Sequence, residues 1–326
     1  MNKQKSKAST AFSLIELSIV ILIVGIIIAG VTQSSRLVRQ SKLKSAQNLT
    51  QSSPVNSMSS IALWLETSQD ASFPTQLDDG GFITQWNDTN PQTQTRFFAV
   101  PAAGIATSSS NISYDLEGIN GLPSVSFNGT AANTGILTLS TSATTLTQAP
   151  VLTVADPNAA NAFTAFMVYR LADTASGADF TVLYNGVSGT DGWGYFRDNT
   201  ATNFRTVAIG PSATVRSGGA LPTTQEIATI TYSGYNAASA TPGTRTTNLY
   251  INGGTNFTST SGINATASTT GVTRPTTRAF IGGTTATTKP WNGLISEIII
   301  FDTVLRNEDL RSVAQYLSKK YNIPLS

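Results

Sequence analysis

The chain has no cysteine and no histidine among its 326 residues. Without cysteine there is no disulfide framework and no thiolate metal site, and without histidine no Ser-His-Asp triad. Missing cysteine does not by itself assign a reducing compartment. Charge is also scarce, at 12% Asp, Glu, Lys and Arg. Thr, Ser, Ala, Gly and Asn fill much of the rest, which suits a β-rich domain with a neutral polar surface. Recurring clusters of Val, Ile, Phe and Trp argue against a disordered tract.

The small net charge of +2 conceals an asymmetry. Residues 1–60 hold seven Lys or Arg against Glu16 alone, while residues 61–326 hold thirteen basic and seventeen acidic side chains. The large region is therefore mildly acidic and lacks the footprint of a nucleic-acid binder. The basic excess flanks the one long apolar run, AFSLIELSIVILIVGIIIAG, residues 11–30. From Phe12 to Val31 a helix measures about 30 Å, the hydrocarbon thickness of a bilayer. Lys3, Lys5 and Lys7 precede it, which places the N-terminus in the cytoplasm. A cleaved secretory signal has a shorter apolar core ending in small residues. Here the pattern continues through Leu37, Val38, Leu43, Ala46 and Leu49 at helical spacing, and Pro54 stops it.

Glu16 is the anomaly in this run, because a carboxylate in lipid costs roughly 2.5–3.5 kcal/mol on insertion scales and usually marks a function. A basic leader, a small residue and then FSLIELSIVILIVGIIIAG resembles the class III signal of type IV prepilins and type II secretion pseudopilins. The resemblance implies cleavage by a prepilin peptidase between Ala11 and Phe12, followed by N-methylation of Phe12. It also implies that Glu16, then the fifth residue, pairs with the N-terminal amine of a neighbouring subunit during filament assembly. Gly25 and Gly30 fit the small residues tolerated in a packed pilin helix. The residue before the cut is commonly Gly in that family. Ala11 is still small enough for the peptidase, with slower processing expected.

Beyond Pro54 the pattern turns to β. FITQW, PSVSFNG, GILTLS, FTAFMVYRL, FTVLYNG, WGYFRD, EIATITYSGY, TNLYINGG, RAFIGG and GLISEIIIFD are short runs separated by Gly, Asn and Pro. About ten such strands without intervening helices predict an antiparallel sandwich. Asn252-Gly253-Gly254 reads as a hairpin turn. A closing helix carries Glu308 and Asp309 in its first turn, Lys319 and Lys320 in its last, and an apolar stripe of Leu310, Val313, Leu317 and Tyr321. The expected fold class is α+β: a long N-terminal helix, a mainly antiparallel β-sandwich, and a C-terminal helix. The expected segments are a leader 1–11, a helix 12–53, a linker 54–60 and a sandwich domain 61–326.

Several pieces in order resemble the concanavalin A-like lectin/glucanase domains of the laminin-G-like sort. They are Ala62-Leu63-Trp64-Leu65, Trp86-Asn87-Asp88, the element Asn120 to Gly129, Leu249 to Gly253, Phe280 to Gly283 and Trp291 to Asp302. The resemblance implies a jelly-roll sandwich and leaves the ligand open. Some members of that superfamily hydrolyse glycosides, which needs two carboxyl groups about 5 Å apart in a retaining enzyme. The nearest stretch, Glu297 to Asp302, lacks the second acid of an E-x-D-x-x-E strand, so no enzyme is expected and both acids read as polar punctuation. Trp193 and Tyr195, flanked by Asp191, Arg197 and Asp198, are the candidate sugar platform, although a core role for Trp193 is the favoured reading. No cofactor is expected. Asp78-Asp79-Gly80 and Asp191 have the composition of a calcium site but not its ligand spacing.

The expectation is a pilin-like subunit in a type IV pilus or related filament, held in the bacterial inner membrane before assembly. Its sandwich is displayed outside the cell and available to a glycan or cell surface. A type II secretion pseudopilin, or a membrane-anchored carbohydrate-binding protein outside any filament, is the alternative.

Overall fold

In a computed structural model of the chain, the described residues are 14–92, 96–103, 108, 110–129, 135–152, 162–172, 180–186, 192–198, 204–209, 213–216, 224–232, 247–259, 278–284 and 290–326. The first element is the helix α1 (Leu14–Gln51), whose 38 residues extend about 57 Å. The chain divides inside this helix into two compact units, residues 1–44 and residues 45–326.

Within the first unit every described side chain from Leu14 to Gly30 is exposed. Among the described residues no helix is long and apolar enough to cross a membrane. The side chains of residues 31–33 lie outside the description, and beyond them Leu37 and Val38 are exposed as well.

The second unit opens with the last turns of α1. Residues 54–60, expected as a linker, are instead part of it: a short 3-10 helix, Pro54–Ser57, fully buries Val55. The sandwich unit thus begins at Ser45 rather than at residue 61. Its strands, among the described residues, are β1 (Ile61–Glu66), β2 (Trp86–Asn87), β3 (Phe98–Pro101), β4 (Ile112–Ile119), β5 (Leu122–Asn128) and β6 (Leu137–Ser140). There follow β7 (Phe163–Leu171), β8 (Phe180–Asn185), β9 (Trp193–Asp198), β10 (Phe204–Ile209) and β11 (Ala213–Arg216). The last are β12 (Glu226–Tyr232), β13 (Thr247–Ile251), β14 (Thr255–Ser259), β15 (Ala279–Ile281) and β16 (Asn292–Phe301), before the helix α2 (Asn307–Tyr321).

They form two antiparallel sheets. One has the order β14-β13-β12-β7-β16-β5-β4, with β1 also on β16; the other runs β11-β10-β9-β8-β15-β6-β3-β2. Alternation along β7 explains the layering. Phe163, Ala165, Met167, Tyr169 and Leu171 enter the core shared with the second sheet. Phe166 and Val168 point the other way and pack with Val313, Leu317 and Tyr321 of α2. The central strands β7 and β16 are therefore buried on both faces, which their near-continuous apolar runs require.

β16 carries a bulge between Ile295 and Glu297. It pairs with β5 before the bulge and with β1 after it. Two hairpins turn on residues with positive φ: Asn120-Gly121 between β4 and β5, and Asn252-Gly253 between β13 and β14. In the first, where Ile119 pairs with Leu122, this is what a two-residue type I′ turn demands; in the second, where Ile251 pairs with Thr255, Gly254 adds a third loop residue. α2 ends at Asn322, also left-handed, whose N–H donates to the Ser318 carbonyl.

Candidate functional site

Ala11 and Phe12 lie outside the described residues. Glu16 stands in the first turn of α1, the favourable end for a negative charge.

Among the last seven residues of α1, Ala46, Gln47, Leu49 and Thr50 face the sandwich, and a buried polar knot lies beneath them. Glu66 ends β1, Glu297 follows the bulge of β16, and Lys320 reaches in from α2. Lys320 Nζ donates to Glu66 Oε2 at 3.0 Å and to Glu297 Oε2 at 2.8 Å, with all three side chains fully buried. Glu297 also accepts from Trp64 Nε1 at 2.8 Å, Tyr316 OH at 2.9 Å and Tyr321 OH at 3.0 Å. Glu66 accepts from the N–H groups of Ser68 and Gln69 and from the hydroxyls of Ser68 and Ser72, at 2.5–2.8 Å. Burial opposes ionisation of Glu66, but Lys320 and the two hydroxyls outweigh it and hold the carboxyl below its usual range. Burial likewise opposes the ammonium of Lys320, yet Glu297, the tyrosines and Glu66 keep its pKa well above normal.

The helix joins this knot through Thr50. Its Oγ1 lies 3.1 Å from Tyr316 OH and donates to the Ala46 carbonyl at 3.0 Å. Gln47 Nε2 donates to the Ser68 carbonyl at 3.0 Å, and Gln69 Nε2 donates back to the Gln47 carbonyl at 2.9 Å. Ala46 is buried and Leu49 packs against the same apolar cluster as Trp64 and Leu317. Chemically this is an anchorage: both carboxylates are saturated with donors and closed to solvent.

Three sequence expectations are corrected here. Glu297, expected as polar punctuation around a buried strand, is the buried centre of the knot, while Asp302, just past β16, is exposed. Lys320 does more than complement the helix dipole. The sugar platform is not an exposed surface: Trp193 is 4% and Tyr195 1% accessible. Trp193 stacks on Phe163 with ring centroids 4.2 Å apart. Tyr195 OH lies 2.7 Å from Tyr169 OH, which donates to Glu226 at 2.9 Å, and Arg205 closes this second network with a two-pronged bond to Glu226. Tyr169 and Glu226 come from one sheet, Tyr195 and Arg205 from the other, so the network staples the sandwich. Arg197 is buried beside it over the Phe180 ring, and the side chain of Asp198 is outside the description.

Asp78 and Asp79 form a turn held on β4 by Gly80 N–H to the Tyr114 carbonyl at 2.8 Å, with Asp79 Oδ1 accepting from Leu116 N–H at 3.1 Å. Asp191 lies outside the described residues. Among the described residues no group of three or more acidic side chains could hold a metal. The Trp86-Asn87-Asp88 element is structural as well. Asp88 Oδ1 accepts from Trp64 N–H at 2.9 Å and Asn90 N–H at 3.0 Å, while burial pushes its pKa up to about 6.

The knot was missed from sequence, though a signal was present. Lys320 falls four residues after Tyr316 and three after Leu317, on the apolar stripe of α2 rather than beside it.

No protein-family model and no curated protein matches the chain. Among solved structures it is similar to a Trypanosoma rangeli sialidase in complex with sialic acid, at 14% identity and a TM-score of 0.44, over 80% of this chain and 33% of that one. Domain 4 of AbnA, a GH43 extracellular arabinanase from Geobacillus stearothermophilus in complex with arabinotriose, matches at 14% identity and 0.45, over 70% and 92%. The binding domain of botulinum neurotoxin DC in complex with rat synaptotagmin II matches at 13% and 0.49, over 81% and 52%. The chain spans about a third of the sialidase's length. Likeness at these identities concerns fold alone.

Proposed function

We propose that this chain is a pilin-like subunit of a type IV pilus or related filament, with a concanavalin A-like jelly roll displayed on its surface. Prepilin peptidase cuts between Ala11 and Phe12 and methylates Phe12. Until assembly the apolar part of α1 holds the subunit in the inner membrane, N-terminus in the cytoplasm. In the filament the same helix packs against other subunits, and Glu16 meets a neighbour's N-terminal amine. The observation that carries this reading is the stretch 14–30: helical, apolar on every side, exposed throughout, and holding a single acid. A helix apolar all round needs lipid or other helices about it.

The sandwich, on this reading, binds a glycan or cell surface and performs no hydrolysis. In support, the two carboxylates drawn to one cation, Glu66 and Glu297, have no access to solvent.

Glu16→Ala tests the filament reading. The variant is expected to insert and be cleaved, yet to be lost from sheared filaments by tenfold or more; normal incorporation overturns the pairing. Mass spectrometry of filament protein is expected to find methyl-Phe at residue 12, and an intact leader there refutes the processing step.

A further inference from the structure

α2 lies across β7, β16 and β12, and along its outer edge the face of β13 stays open. The result is a groove of about 490 Å³, within the size range of small-molecule sites. Its floor is the cross-strand pair Thr229 and Tyr250. One wall is the face of α2 that carries Asn307, Arg311 and Gln315, and the other is Leu325 packed on the β13–β14 turn.

Thr229 is the unusual member. It is 3% accessible, and its Oγ1 has no hydrogen-bond partner. Thr231, two residues along the same face, has its hydroxyl satisfied by Asn248 Nδ2 at 3.0 Å. A buried hydroxyl left unpaired costs about 1–3 kcal/mol, and an apolar guest would leave that cost in place. Next to it stands a half-buried phenol ring, and above it three side-chain amide or guanidinium donors, Asn307, Arg311 and Gln315, on an exposed helix face.

We infer that this groove is a saccharide subsite, which deepens and rests on the glycan-binding reading above. A sugar ring offers an apolar C–H face to Tyr250 and a rim of hydroxyls that both donate and accept. Such hydroxyls can satisfy Thr229 Oγ1 while accepting from Gln315, Asn307 and Arg311. Arg311 is the only charged side chain among the described lining residues, so it directs the fork of a guanidinium toward paired hydroxyls or a sugar carboxylate.

The test uses the full chain in a detergent without a sugar head group, on an array of neutral and acidic oligosaccharides. The best hit is then titrated calorimetrically against wild type, Tyr250→Ala and Gln315→Ala, with thermal melts to show that each variant is folded. Expected are a tenfold or larger rise in Kd for Tyr250→Ala and a severalfold rise for the exposed Gln315→Ala at unchanged melting temperature. Binding that survives both substitutions overturns the groove while leaving the glycan-binding reading intact. Absence of binding to every oligosaccharide overturns that reading and the groove together.

Discussion

The two ends of α1 belong to the same helix and behave as different materials. From Leu14 to Ile28 its large apolar side chains are exposed, from 46% at Val24 to 87% at Leu14. From Ser45 onward the helix is less apolar, yet Ala46 and Thr50 are buried and Gln47 exchanges hydrogen bonds with the loop after β1. Hydrophobicity alone therefore does not decide what a single chain buries. The first end leaves its apolar side chains exposed; the second is matched to a polar knot inside the sandwich unit.

Lys320→Met should have the largest effect on that contrast. It leaves Glu66 and Glu297 buried without their cation, so about 3–5 kcal/mol of stability should be lost in denaturant unfolding. A loss under 1 kcal/mol would show the knot to be dispensable. A sandwich fragment starting at Ile61 should be about 2–4 kcal/mol less stable than one starting at Ser45, because Ala46 and Val55 are removed from its core. Equal stabilities would return the domain boundary to residue 61.

Acidity separates two carboxylates near β1. Asp88 has a raised pKa in the fold, so its contribution is fully present below its ordinary value and is lost as pH rises through about 6. Glu66 has a lowered pKa and contributes the opposite way, with stability present above its ordinary range and lost on acidification. Asp88→Asn should therefore gain on wild type by as much as about 3 kcal/mol between pH 4 and pH 7; parallel melting curves would remove Asp88 from the account. Thr50→Val should cost about 1 kcal/mol through the lost bond to the Ala46 carbonyl and the lost polar contact with Tyr316 OH. At the far end of the helix, Ile21→Ser should leave the sandwich's unfolding midpoint unchanged within about 0.5 kcal/mol.

The strands were legible where alternation or an unbroken apolar run marks them. FTAFMVYRL and WGYFRD coincide with β7 and β9 from end to end. β4 went unread because Asp115 and Glu117 interrupt its alternation at an irregular pairing with β5. The backbones of β10, β11 and β14 are strands built largely from Thr, Arg, Ala and Asn, types that also fill the loops. The polar knot escaped for a different reason: its members are scattered over β1, β16 and α2, and only the packing of α2 on the sheet makes them neighbours. Trp193 shows the converse, since a lone aromatic in a polar-flanked strand reads the same from sequence whether it faces a sugar or a core.

The bulge in β16 has a consequence for how this strand can be read as a phase. Ile295 before it and Ile298 and Ile300 after it all point between the sheets, while Glu297 faces the opposite way. One extra residue thus lets two half-strands of opposite parity share a single backbone, each with its own partner, β5 or β1. Deleting Ser296 would restore an even beat. Glu297 would still face α2, and Ile298 and Ile300 would still face the second sheet, because Ile295 and Glu297 already oppose the successive residues Tyr169 and Val168. What the deletion removes is the hydroxyl contact of Ser296 with Ser124 at 2.6 Å.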